Sequence, residues 1–257
     1  MTTAAAPPES DAVTTPTRLT ARSVVLSVLL GAHPARATAA ELVRLTADFE
    51  IREPTLRVAL TRMVAAGDLI RSDDGYRLSQ RLLDRQRRQD DALRPPLRDW
   101  DGRWLTAVVT SVGADARTRS ELRKVLQESR FGELREGVWL RPDNLRTGPD
   151  PDIYPHVRLL HSVDDAPAEL AARLWDLAGW SATATELIAA MSEARDLPAE
   201  FAVAAGMVRH LLTDPVLPGE LSPPDWPGWR LRAEYARFAA ELAGRRDQRL
   251  PASSSAR

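Results

Sequence analysis

Thr55, Arg57, Val58, Thr61 and Arg62 lie within EPTLRVALTRMVAA, residues 53–66, and a 3.6-residue period puts them on one side of a helix. Leu56, Ala59, Leu60 and Met63 fall on the other side. Arginine presents a fork of donors that matches the O6 and N7 of guanine, and the methyls of threonine and valine suit the thymine methyl. A helix that shows this face to solvent could read base edges in a DNA major groove. Arg71 and Arg77, a few residues on, are placed to reach phosphates or a neighbouring minor groove. The same side chains also fit an ordinary solvated face, so the surrounding elements have to decide between the readings.

Those elements are legible over residues 38–78. Thr38 followed by Glu41 forms a capping box, which predicts a helix running to about Ala47. A connector over 48–52 leads to Glu53-Pro54, where proline suits the first position of a second helix because its missing N–H has no partner there anyway. That helix is expected to stop at Gly67. Leu69-Ile70-Arg71, the turn Ser72 to Gly75 and Tyr76-Arg77-Leu78 predict a two-stranded ribbon. With TARSVVLSVLL, residues 20–30, as a preceding apolar helix, the order is that of a winged helix-turn-helix.

The charge distribution points the same way. The 257-residue chain has a net charge of −1, but residues 18–98 hold 15 arginines against 10 acids, a net of +5. Residues 1–17 carry −2, which leaves −4 for 99–257. A basic module on an acidic remainder is the footprint of one nucleic-acid-binding domain joined to a non-binding one. The absence of cysteine excludes disulfides, thiolate metal sites and cysteine nucleophiles. The four histidines show no HxxxH or HExxH spacing, so neither a metal nor a cofactor is expected. Residues 1–17 lack a basic-then-apolar signal, and no apolar run reaches membrane-spanning length. They read as a disordered leader on a cytoplasmic protein.

Beyond the ribbon, residues 79–96 are dense in charge, and their middle could form a solvated helix ended by Pro95-Pro96; they read as a domain linker whose RQRR run, residues 85–88, could touch a DNA backbone. RWLTAVVTSV (103–112) predicts a strand, and 115–129 a helix. Strands are expected at 131–134, 137–141 and 156–162, and a helix at 168–178. Strand, helix, three strands and helix describe a ferredoxin-like α+β unit. Helices follow at 183–195, 198–212 and 230–244, with an irregular Pro-rich passage at 213–229. The expected organisation is a leader at 1–17, a winged helix at 18–80, a linker at 81–98, a ferredoxin-like domain at 99–165, a helical domain at 166–244 and a frayed tail at 245–257. The fold class is multidomain α+β.

Four segments, in this order behind a winged helix, carry a resemblance: WDGRW (100–104), RSELRKVLQESRFGELREGVWLRP (119–142), LWDLAGW (174–180) and DPVLPGELSPPDWPGW (214–229). The chain resembles the phenylacetic-acid-degradation transcriptional regulators, the PaaX-like family, over residues 20–243. The resemblance implies a homodimeric regulator with a central domain similar to the small CRISPR-associated endoribonuclease fold. It also implies repression of a catabolic operon, with release of operator DNA on binding an aryl-CoA thioester such as phenylacetyl-CoA. One stretch departs from the pattern. A Leu-His-x-x-Arg-like motif is expected before the Asp-Pro, and AVAAGMVRHLL stands there, with Arg209 in the arginine's place and His210 displaced. If that stretch contacts the inducer, acyl-CoA thioesters other than phenylacetyl-CoA become candidates beside it.

An aryl-CoA needs an apolar pocket and cations for its phosphates. Trp175, Trp180, Trp226 and Trp229, with Arg209, are the candidate effector residues, although each tryptophan equally fits core packing. No carboxylate closes the first strand of the central domain, since Asp115 comes only after Gly113, and no catalytic motif is present, so the chain reads as a non-enzyme. A constitutive DNA-binding or scaffolding protein, its C-terminal domain serving a protein partner, is the alternative.

Overall fold

The structure is a computed structural model that describes residues 19–111, 113 and 115–249, with 246–249 as helical backbone only. The expected leader therefore lies outside the described residues. Helix α1 (Ala21–Leu30) starts at Thr20, whose side chain accepts from the Ser23 N–H. In α2 (Ala39–Thr46) the capping box is formed in both directions: Glu41 N–H donates to Thr38 Oγ1 at 3.2 Å, and Thr38 N–H donates to Glu41 Oε2 at 2.6 Å. A cap of this kind is worth about 0.5–2 kcal/mol. A 3-10 turn over Ala47–Phe49 leads to α3 (Glu53–Ala65), which has proline in its first turn. Leu56, Leu60 and Met63 of α3 pack on Val25 and Leu29 of α1 and on Leu42 of α2. The core is closed by Leu69 and Leu78 of the wing strands β2 (Leu69–Ser72) and β3 (Gly75–Leu78), numbered after the short strand β1 (Arg36–Ala37).

That short strand was not foreseen. It pairs antiparallel with β3, so the sheet order is β1-β3-β2. Gly75 makes the pairing possible: its φ is +120°, and a Cβ there would sit 2.5 Å from the Ala37 carbonyl oxygen. Two residues carry too little pattern to register as a strand.

The expected linker contains the helix α4 (Gln80–Leu93), which is not simply solvated but packs on the winged-helix and C-terminal helical domains. Leu82 joins the winged-helix core and Ala92 the C-terminal one. Gln86 is buried, and its amide donates to the carbonyls of Leu30 and Ala32 at 2.9 Å each, filling orphan acceptors at the end of α1. The apolar residues of α4 stand only near its two ends, Leu82-Leu83 and Ala92-Leu93, and that sparse pattern was masked by its arginines. The RQRR side chains do not form one basic run: Arg87 pairs with Asp84, while Arg85 and Arg88 line clefts.

The central domain is a four-stranded antiparallel sheet of order β5-β6-β4-β7. Its strands are β4 (Trp104–Val109), β5 (Gly132–Arg135), β6 (Val138–Pro142) and β7 (Val157–Ser162), with α5 (Ala116–Glu128) between the first two. The order is that of a ferredoxin-like split unit, with a loop and one 3-10 turn, Pro151–Ile153, in place of the second crossover helix. Side chains of β4 alternate as the pleat requires. Leu105 and Ala107 pack with Leu122, Leu126 and Ile153 on one face, and Trp104 with Leu170, Leu217 and Leu221 on the other. The Pro-rich passage, expected to be irregular throughout, includes a 3-10 turn at Gly219–Leu221 and runs into the last helix at Gly228; its Leu217 and Leu221 supply part of the second cover.

In the helical domain, α6 (Pro167–Leu174) ends earlier than expected and α7 (Leu177–Glu193) begins six residues earlier than expected, capped by Asp176. The apolar LWDLAGW stretch hid the break. Helix α8 covers Leu197–Leu211, and α9 covers Gly228–Arg249, extending into the expected tail. The winged helix and the helical domain share a core. Val24 and Val28 of α1, with Leu45 and Phe49, pack among Trp180, Phe201, Met207 and Phe238. Helix α1 is apolar on both sides because it serves two cores.

Candidate nucleic-acid interface

Thr55, Arg57, Val58, Thr61 and Arg62 are all exposed on one side of α3, opposite the buried Leu56, Leu60 and Met63. Val58 is 51% exposed, an open aliphatic contact in the middle of a polar face. Arg57 donates from Nε and Nη2 to Glu53 Oε1 at 2.8 and 2.6 Å, so it must exchange that partner before it can meet a base. Thr61 Oγ1 donates back to the Arg57 carbonyl at 3.1 Å and leaves its methyl free for contact. No side-chain hydrogen bond or ion pair holds Arg62 among the described residues, so it stands ready without a competing partner.

The wing divides its two arginines. Arg77 lies opposite Ile70 on β2 and opposite Arg36 on β1, whereas Arg71 lies opposite Tyr76. Cross-strand partners share a face and neighbours along a strand do not, so Arg71 and Arg77 point to opposite faces of the ribbon. The structure does not bring them together. It groups Arg77 with Arg36, which sequence reading missed because β1 was invisible.

Asp68, also unforeseen, fixes the end of α3. Its carboxylate is 3% exposed and accepts from Arg22 of α1 (Nη2, 2.8 Å) and from Arg81 of α4 (Nη2, 2.5 Å). Its carbonyl accepts from the Ser79 N–H at 3.0 Å. The end of α3 is thereby tied to α1 and to α4. Both arginines are largely solvated, so each pair contributes modestly and the value of the arrangement is positional.

The five candidate effector residues do not form one site. Trp180 is sandwiched between His210 (ring centroids 4.3 Å) and Trp226 (4.5 Å). Its Nε1 donates to Thr213 Oγ1 at 3.2 Å. Trp175 stacks on Trp104 at 6.5 Å and borders a cleft of about 1080 Å³ between α4 and the central domain. Trp229 is exposed, with the Arg232 guanidinium 4.9 Å from its ring centroid. Arg209 alone borders a separate cavity of about 390 Å³ between α1, α8 and α9. Among the described residues no group of three or more His, Cys, Asp or Glu side chains could hold a metal ion. Asp115 caps α5, accepting from the Thr118 N–H at 2.7 Å, and that bond holds its carboxyl below the usual range.

His210 Nε2 lies 2.9 Å from the Trp180 carbonyl, which can only accept, so Nε2 carries the proton of the neutral ring. Burial lowers the histidine pKa. A depressed folded pKa means that the unfolded chain takes up the proton first as pH falls. Stability is therefore expected to be full above about pH 6.5, the unfolded value, and to decline below it. The decline ends once the folded ring titrates. His210→Gln should flatten this slope in melting curves recorded between pH 7.5 and 5; an unchanged slope would move its origin elsewhere.

Three consecutive segments match parts of one family: residues 20–82 match PaaX-like protein, 97–151 the PaaX protein central Cas2-like domain and 175–251 the PaaX-like protein C-terminal domain. Among solved structures the chain is similar to uncharacterized protein Rv0674 from Mycobacterium tuberculosis, with 63% identity and a TM-score of 0.80 over 89% of this chain and 98% of that one. No curated protein matches. No helix among the described residues is long and apolar enough to cross a membrane. The matched segments together cover most of the chain, in the order in which the three domains fold. The chain belongs to the PaaX-like family, whose members are generally transcriptional regulators and not enzymes.

Proposed function

We propose that this protein is a homodimeric, ligand-responsive repressor of a catabolic operon, which binds operator DNA through α3 and the wing and releases it on binding an aryl-CoA thioester. The observation that carries the reading is the exposed Thr55, Val58, Thr61 and Arg62 face of α3, set on a packed winged-helix core. Base contacts are assigned to this face, and phosphate contacts to Arg71 and Arg77 on the wing. The family supports regulation and DNA binding; the dimer, the repression and the effector belong to the proposal. Release also needs a ligand that binds the DNA-competent and DNA-incompetent arrangements unequally, by about 1–3 kcal/mol in typical couplings. Helix α1, shared by the winged-helix and C-terminal cores, supports such a route because a shift in one core moves a wall of the other.

A twofold dimer presents two α3 helices to two half-sites separated by a helical turn of about 10 bp or a multiple of it. DNase footprinting on DNA upstream of the protein's own gene is expected to show one protected pseudo-palindrome with that spacing. Protection without a repeated half-site would contradict the dimeric reading, and absence of protection on any fragment of a genomic library would contradict the regulator itself.

A further inference from the structure

The cavity of about 390 Å³ at the seam between the winged helix and the helical domain differs in character from the larger cleft beside the sheet. Its interior is made by Leu26 and Val28 of α1, Phe201 and Val208 of α8, and Phe238 of α9. Alanines at 204, 205 and 239 leave the room. Three arginines border it, Arg22, Arg85 and Arg209, one from each of α1, α4 and α8. No aspartate or glutamate lines it, although acids outnumber basic residues over the whole chain. The larger cleft has five carboxylates among its arginines. Arg85 and Arg209 are exposed and hold no ion pair among the described residues, and Arg22 holds Asp68 at the end of α3.

We infer that this seam cavity is the effector site, and that it takes an amphipathic anion: a compact aryl or acyl group inside, with its negative charge at the Arg22–Arg85–Arg209 rim. The inference rests on the regulator reading for its purpose but not for its chemistry. At about 390 Å³ the space is at the lower end of the range of about 300–1,000 Å³ usual for small-molecule sites, which fits an acyl group and leaves a bulky carrier outside. The position supplies the coupling. A ligand here touches α1 and α8 together, so it senses how the two domains lie against each other. An anion that recruits Arg22 also draws it from Asp68, loosening one of the two ties on the end of the reading helix.

The test uses the full chain, with calorimetry for phenylacetate, phenylacetyl-CoA and CoA, and fluorescence anisotropy for DNA measured separately. Two variants probe the site: Ala205→Trp, which fills the space, and Arg209→Glu, which inverts a rim charge on an exposed position and leaves the packing intact. Each is expected to weaken binding of the tightest of the three probes at least tenfold, with DNA affinity in the absence of ligand within twofold of the parent. Binding of the free carboxylate as tight as that of its thioester assigns the rim charge to the carboxylate, and binding of the thioester alone assigns it to the carrier phosphates. Unchanged ligand affinity in Arg209→Glu, or no saturable binding of phenylacetate or phenylacetyl-CoA to the parent protein, overturns the assignment. Failure of the parent to bind DNA, with ligand binding intact and lost in the variants, would undo the regulator reading and leave the cavity's ligand class standing.

Discussion

Replacing Asp214 with alanine is expected to destabilise the protein by about 3–5 kcal/mol, the usual cost of removing one partner from a buried ion pair. Asp214 is 1% exposed, and its Oδ2 accepts from Arg232 Nη1 at 2.7 Å. Oδ1 accepts from the Val216 N–H at 2.8 Å, holding that valine at φ +53°. The Asp214 carbonyl accepts from Arg130 of the central domain. Arg232, itself 6% exposed, continues to the Ala92 carbonyl at the end of α4 and the Gly228 carbonyl at the start of α9. Asn144 adds a bond to the Val216 carbonyl at 2.8 Å. The Asp214–Val216 segment thus meets the central sheet domain through its carbonyls, and the Asp214 carboxylate holds Arg232, which ties the connecting helix to the helical domain. Without it a guanidinium is left buried and unpaired. Domains of this kind are stable by about 5–15 kcal/mol in total, so the variant should unfold at far lower urea. A loss below about 1 kcal/mol would show that the site takes in water and that the pair contributes little.

On the DNA-binding side, the largest expected effect comes from Val58→Glu, which sets a carboxylate on the face to which base contacts are assigned. Val58 is 51% exposed and supports no core, so the melting temperature should hold while operator affinity falls by more than about a hundredfold. Arg62→Ala tests the arginine itself: a loss of about 1–3 kcal/mol on operator with little change on random DNA marks a base contact. Equal weakening on both marks a phosphate contact. Operator affinity unaltered in Val58→Glu would remove α3 from the interface.

Local rules carried the winged helix. Thr38 and Glu41, Pro54, and the Ser72–Gly75 turn each act over four residues or fewer, and each element they predict is present. The solvent-exposed face of α3 was legible for the same reason, since a single helical period separates Val58 and Arg62 from Leu56 and Met63. Features that depend on distant partners were not. Asp68 meets Arg22 across 46 residues, Arg130 meets the Asp214 carbonyl across 84, and Arg232 meets Ala92 across 140. Helix α4 looked like a solvated connector because its arginines dominate the composition, and its role depends on the buried Leu82, Gln86 and Ala92. The seam cavity has no local signature either: its walls come from α1, α4, α8 and α9, and only Arg209 of the expected effector residues stands on it. The tryptophans drew attention as the largest aromatic surfaces, yet Trp180 and Trp226 satisfy each other and His210.

The most direct test of the account is fluorescence anisotropy of the full chain on DNA from upstream of its own gene, over a salt series, with and without phenylacetyl-CoA. The account predicts sequence-selective binding that weakens steeply as salt rises and is reversed by the thioester. Binding that does not distinguish this DNA from random sequence, or selective binding that neither phenylacetyl-CoA nor any other acyl-CoA reverses, would contradict it.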